Sequence, residues 1–223
     1  MKILVTGNTG YIGPVLGGRI KAGNNNIKLV GYDTGFFLHC LTAVDRSPDL
    51  NYDIQYYGDI RKFDKTILNG VDVVIHLAAI SNDPMGNNFS DVTDEINSKA
   101  SEEIAKKSKE AGVKKFIFAS SCSMYGSTDN NKKKESDSLK PLTAYAKSKV
   151  YMEKALEALS DNNFQATCLR YSTACGMTER LRLDLVLNDF VASALCTGNI
   201  EILSDGTPWR LSLIHISEPT RRS

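Results

Sequence analysis

The stretch VTGNTGYIG, residues 5–13, constrains this chain more than any other. Ile3, Leu4 and Val5 lead into it as a continuous apolar run, the mark of a strand buried on both faces. Gly7, Gly10 and Gly13 then recur at every third position. In a strand–turn–helix unit the first glycine permits a tight turn, the next lets backbone approach a pyrophosphate, and the last lets helix pack close to strand. Pro14 falls in the first helical turn, where its missing N–H has no intrahelical partner anyway. The free N–H groups and positive dipole end of that helix form an anion site.

Downstream, short apolar runs alternate with longer segments of helical period, which predicts βαβ units around a parallel sheet. The expected strands are KILVTG at 2–7, IKLVGYD at 27–33, IQYYGDI at 54–60, VDVVIHLAA at 71–79, KKFIFASS at 114–121 and QATCLRYST at 165–173, with NIEILS at 199–204 as a candidate seventh. The expected helices cover 91–111, 142–160 and 183–197. The fold class is α/β: a Rossmann-type doubly wound parallel sheet, with only part of a C-terminal substrate domain. Residues 1–173 are expected to form the dinucleotide-binding domain and 174–210 a partial substrate-binding region. Gly17 and Gly18, inside the first helix, have no evident reason in the sequence. The polar stretch 122–141 is too long for a simple connection, and such loops are usually functional.

Charge narrows the partners. A net charge of +1 gives no field directed at nucleic acid or an anionic membrane. Lys132, Lys133 and Lys134 sit among Asn130, Asn131, Glu135 and Asp137, as in a solvated loop. The MKILVTG start breaks at Gly7, too early for a signal peptide. No run reaches the roughly 20 apolar residues of a membrane helix. Five cysteines without a CxxC pair suggest buried thiols, no metal site and a reducing cytoplasm.

Asp33 stands 20 residues after Gly13, at the end of the second strand. An acid there hydrogen-bonds the adenosine ribose and repels a 2′-phosphate, so the expected cofactor is NAD rather than NADP. Tyr145 and Lys149 are four apart on a helix and project from one face. A phenol with a pKa of about 10 is a poor base. A neighbouring ammonium favours its phenolate and turns it into an acid–base group for a sugar or alcohol hydroxyl. Ser121, at the end of the fifth strand, could hold the same oxygen. His76 is expected to be a packed strand-end histidine without a catalytic part.

The motifs TGNTGYIG, GDI at 58–60, HLAA at 76–79, SSCSMYG and YAKSK together resemble the extended short-chain dehydrogenase/reductases of the nucleotide-sugar epimerase/dehydratase group, over residues 1 to about 210. The resemblance implies that Tyr11 and Ile12 touch the pyrophosphate through their backbone. It implies that Asp59 and Ile60 flank the adenine, and that Leu77, Ala78 and Ala79 line the ribose and nicotinamide. Ser121, Tyr145 and Lys149 would be the catalytic set, with Tyr145 and Lys149 also on the cofactor. Thr173 and Arg210 would meet the nucleotide-sugar, Arg210 by gripping its diphosphate. Asn97 would be a structural asparagine. A homodimer through helices 91–111 and 142–160 is compatible with the pattern.

Two departures matter. Dehydratases of the group carry an Asp-Glu pair after the catalytic hydroxyl residue, whereas this chain has Cys122 and Ser123, so a 4,6-dehydratase is disfavoured. Thr173 replaces an asparagine of the 4-epimerases, so UDP-galactose does not follow as the substrate. The reading is an NAD-dependent epimerase of a nucleoside-diphosphate sugar. An NAD-dependent nucleotide-sugar reductase, dehydrogenase or dehydratase and a non-catalytic NAD-binding regulator are the alternatives. Residues 211–223, LSLIHISEPTRRS, have no period or cap and resemble a translated sequencing adapter. They are therefore expected to be a non-native tail, leaving a chain that binds NAD but turns over poorly or not at all.

Overall fold

A computed structural model describes residues 1–42, 47–81, 88–126, 133–202 and the strand 212–214. Strands β1 (Lys2–Thr6), β2 (Lys28–Asp33), β3 (Ile54–Tyr57), β4 (Val73–His76), β5 (Lys115–Ser121) and β6 (Gln165–Tyr171) form one parallel sheet in the order β3-β2-β1-β4-β5-β6. The direction of winding reverses between β1 and β4. In an open α/β sheet that reversal opens a crevice at the carboxyl ends of the strands, where ligands bind.

Helix α1 (Gly13–Gly23) follows the glycine loop, with Pro14 in its first turn. Helix α2 runs through Ser90–Asp94, a π-helical segment Glu95–Ala100, and Ser101–Glu110. Helix α3 spans Ala144–Leu159, where the Thr143 side chain caps the N-terminus by accepting from the Ala146 N–H. Helix α4 spans Val186–Thr197 and ends at Gly198 in the left-handed conformation, a common helix stop.

Alternation along the strands divides the core between two faces. Leu4, Val30, Val74, Phe116 and Phe118 pack with Ile104 of α2 and with Met152 and Leu156 of α3. Ile3, Val5 and Leu29 face the other way, against Leu16 and Ile20 of α1. Each fully buried side chain of this size contributes roughly 1.5–3 kcal/mol.

Several expectations need correction. Residues 199–202 form no strand, and the rest of the proposed seventh, 203–204, lies outside the described residues. Gly198 halts α4 there, the following Ile200 and Ile202 are exposed, and among the described residues no strand pairs with them. Instead Thr173–Cys175 forms β7, which pairs in parallel with β8 (Ser212–Ile214). Residues 212–214 of this strand belong to the stretch expected to be a non-native tail, an expectation the strand does not test, while 215–223 lie outside the described residues. The IQYYGDI strand ends at Tyr57, because Asp59 caps a 3₁₀ turn over Ile60–Lys62. The thiols are mostly not buried: only Cys175 is, whereas Cys40, Cys122 and Cys168 are intermediate and Cys196 is exposed.

The Gly17 question is resolved by packing. A Cβ on Gly17 would sit 2.8 Å from the ring of Tyr52, whose hydroxyl donates to the Gly13 carbonyl at 3.0 Å. Helix α1 lies on that ring, and only glycine admits it.

Candidate functional site

The glycine loop has the shape of a dinucleotide cradle. Gly7 has φ 72°, and a Cβ there would lie 2.6 Å from the Ala78 nitrogen. A Cβ on Gly13 would lie 2.1 Å from the Asn8 carbonyl oxygen, so the helix start rests directly on the loop. Gly10 has more room: a Cβ there meets only the Gly7 oxygen, at 3.2 Å. The first and third glycines thus serve the loop's own fold. The Asp33 carboxylate accepts from the Thr9 N–H at 3.1 Å and from the Gly35 N–H at 2.9 Å, which fixes it at the mouth of the loop. Leu77, Ala78 and Ala79 leave the end of β4 half-buried beside Gly7. These residues could hold the pyrophosphate and ribose of a dinucleotide.

Tyr11 is engaged through its side chain, which the sequence did not suggest. Its hydroxyl donates to the Gly176 carbonyl at 2.7 Å and accepts from the Asn188 side chain at 3.0 Å. Its carbonyl accepts from Thr178 at 3.1 Å. Asn188 also accepts from the Gly176 N–H at 2.9 Å and donates to the Arg182 carbonyl at 2.8 Å. The segment after β7 is thereby latched onto the phosphate loop. Ile12 is half-buried at the start of α1.

Asp59 is forked by Arg61 at 2.6 Å, and this bond leads the causes that hold its carboxyl below the usual range. Ile60 is part of the main core, so its side chain is committed to packing and leaves only its backbone for a ligand.

The catalytic candidates gather at the carboxyl end of β5 and the first turns of α3. Lys149 is only 3% exposed. Its Nζ donates to the Ala119 carbonyl at 2.7 Å and lies 5.2 Å from the centroid of the Tyr145 ring. Burial pushes its pKa down to about 7. Tyr145 is half-buried, and its carbonyl accepts from Ser148 at 2.7 Å. Ser121 opens the 122–125 turn: its Oγ accepts from the Ser123 N–H at 3.2 Å and is 3.0 Å from the Ser123 Oγ. Helix α3 packs against both β5 and this turn. Ser121 is in register with Tyr171 of β6, so Thr173, two residues on, sits at the same rim. Arg210 lies outside the described residues.

His76 is fully enclosed, with Nδ1 2.7 Å from the Thr6 hydroxyl and Nε2 2.9 Å from that of Ser101. Burial, assisted by Lys149, pushes its pKa down to about 3, so it is neutral and structural. Asn97, in the π segment, donates to the Ile80 carbonyl and accepts from the Ile80 N–H, both at 2.8 Å. It pins the chain just past the cofactor strand.

Sequence reasoning missed Glu153, Arg170, Thr178 and Asn188. Glu153 had a signal, being four residues beyond Lys149 on the same helical stripe. Arg170 had one as the lone charge within QATCLRYST.

Sheet order, glycine cradle and the Tyr145–Lys149 pair define a dinucleotide-dependent fold of the short-chain dehydrogenase class. Residues 3–218 match the NAD dependent epimerase/dehydratase family, and the chain belongs to that family. It is 29% identical over 215 residues to the "Uncharacterized UDP-glucose epimerase YtcB" of Bacillus subtilis (strain 168), covering 92% of this chain and 66% of that protein. It is 31% identical over 186 residues to a UDP-glucose 4-epimerase of Halalkalibacterium halodurans, covering 79% of this chain and 52% of that protein. The chain thus spans about half to two thirds of these relatives' lengths. Among solved structures, a UDP-glucuronic acid 4-epimerase from Bacillus cereus, in complex with UDP-glucuronic acid and NAD, superposes with a TM-score of 0.81 at 27% identity, over 96% of this chain and 69% of that one. An NAD-dependent NDP-hexosamine 5,6-dehydratase, TunA, superposes with a TM-score of 0.83 at 22% identity, over 96% and 67% of the two chains, and shows the fold alone.

Proposed function

We propose that this chain carries the cofactor-binding and acid–base part of an NAD-dependent epimerase acting on a nucleoside-diphosphate sugar. The observation that carries this reading is the Lys149 side chain, buried beside the Tyr145 ring at the carboxyl edge of the parallel sheet. An ammonium buried against a single carbonyl is disfavoured, as its lowered pKa shows. A phenolate at Tyr145 restores that charge, so the two ionised forms support each other. NAD, when bound, supplies the hydride acceptor and then the hydride donor. Tyr145 removes the proton from a ring hydroxyl that Ser121 orients, and the carbon that loses its hydride becomes a ketone. Once the sugar presents its other face, Tyr145 returns the proton and the inverted alcohol is released.

Gly7, Gly10, Gly13, Tyr11, Ile12, Asp33, Asp59, Ile60 and Leu77 to Ala79 form the proposed NAD site, and Thr173 and Arg210 the proposed sugar-nucleotide contacts. Cys122 and Ser123 supply no carboxylic acid to protonate a leaving hydroxyl, which favours epimerisation over dehydration. The proposed homodimer face is α2 with α3, which lie side by side, joined by a Tyr151–Glu102 hydrogen bond, and which expose Val92 and Tyr151.

The test is nicotinamide absorbance during reaction with a panel of UDP-sugars. Epimerisation predicts transient reduction with no net consumption of cofactor. Stoichiometric consumption would establish a net reductase instead, and a Tyr145→Phe variant as fast as wild type would remove the proposed base.

A further inference from the structure

We propose that the Glu153–Arg170 ion pair is a positioning device that sets the spacing between the Ser121 hydroxyl and Tyr145. The proposal rests on the acid–base reading above. Tyr145, Lys149 and Glu153 follow one another at intervals of four along α3 and share one stripe. Two of them grip consecutive residues of β5. Lys149 donates to the Ala119 carbonyl at 2.7 Å, and Glu153 accepts from the Ser120 hydroxyl at 2.6 Å. The next residue is Ser121.

Arg170, on β6, is in register with Ser120. Its Nε lies 3.0 and 3.1 Å from the two oxygens of Glu153, and its Nη2 lies 2.6 Å from Oε2. Its Nη1 donates to the Tyr125 hydroxyl at 2.7 Å and to the Glu135 carbonyl at 2.9 Å. Tyr125 in turn donates to the Lys134 carbonyl at 3.1 Å.

One guanidinium therefore joins β6, α3, the end of the 122–125 turn and the described part of the loop beyond it. Ser121 and its turn are held from both ends, at Ser120 by Glu153 and at Tyr125 by Arg170. A salt bridge serving only stability needs no such distribution of donors. Both side chains are largely covered, at 19% and 14% exposure, so solvent does not dissipate the pair. A bidentate guanidinium–carboxylate contact also fixes direction as well as distance.

The test uses Glu153→Gln and Tyr125→Phe. The second removes a single hydroxyl and remains informative if the first fails to fold. Hydrogen exchange followed by mass spectrometry should speed up across residues 119–126 in both, while exchange across β1 and α1 stays as in wild type. In a single turnover with UDP-sugars, reduction of bound NAD should slow by on the order of 10- to 100-fold, the range expected when reacting groups shift by about 1 Å. NAD affinity and the half-saturating sugar concentration should not change. Unaltered exchange in both variants overturns the clamp, as does wild-type-like reduction or a defect confined to sugar binding. If the wild-type chain reduces no NAD with any sugar, as expected of a chain that spans only part of its relatives' length, the exchange result alone decides whether the clamp exists.

Discussion

Gly17 and Gly18 look alike in the sequence and differ completely in the structure. At Gly17 a methyl group would enter the Tyr52 ring. At Gly18 the nearest atom is the Asn51 side-chain nitrogen, 3.9 Å from an ideal Cβ. Gly18→Ala is therefore expected to raise stability by about 0.5–1 kcal/mol through loss of backbone freedom in the unfolded chain. Gly17→Ala should lower it, and thermal or urea denaturation of the two variants would show the opposite signs. The same contrast governs the site. Gly7 and Gly13 admit no other residue, Gly7 through positive φ and contact with the Ala78 backbone, Gly13 through contact with the Asn8 backbone. Tyr11 was legible only in part, since its hydroxyl meets Gly176 and Asn188, more than 160 positions away, and no local pattern encodes such a contact.

At the scale of elements, β1 and β2 follow from apolar runs, because a strand buried on both faces must be continuously apolar, whereas β3 and β6 are half-buried or exposed along their length. The edges were harder. NIEILS has a strand-like composition, yet Gly198 ends α4 before it and residues 199–202 find no neighbour. The π segment Glu95–Ala100 was invisible to a 3.6-residue period, although Asn97 and the Ser101 hydroxyl, which donates to the Ile96 carbonyl at 2.9 Å, give it a purpose. Helix α4 keeps its apolar residues largely outward, with Leu195 82% exposed, so its amphipathic pattern described a face that the described residues do not cover. Its firm attachment is polar. Asn188→Ala would leave the Gly176 N–H and the Arg182 carbonyl without their partner and release Tyr11. The expected cost is about 1–3 kcal/mol, read by denaturation, together with faster hydrogen exchange across residues 176–188. An unchanged exchange pattern would show that the latch is not what holds this segment.

At the scale of the whole molecule, two tasks sit on one sheet. The β1 turn and the ends of β2 and β4 form the proposed cradle for a dinucleotide, and the end of β5 with α3 brings a buried lysine and a phenol to the same edge. Among the described residues no helix is long and apolar enough to cross a membrane. The central claim is that the cradle holds NAD where Tyr145 can use it. Calorimetric titration of the wild-type chain and of Gly7→Ala with NAD and with NADP tests it most directly. The wild type is expected to bind NAD in preference to NADP, if Asp33 meets the ribose as proposed, and Gly7→Ala to abolish binding, because its methyl group collides with Ala78. A wild-type chain that ignores both dinucleotides, or a Gly7→Ala variant that binds NAD undiminished, would contradict it.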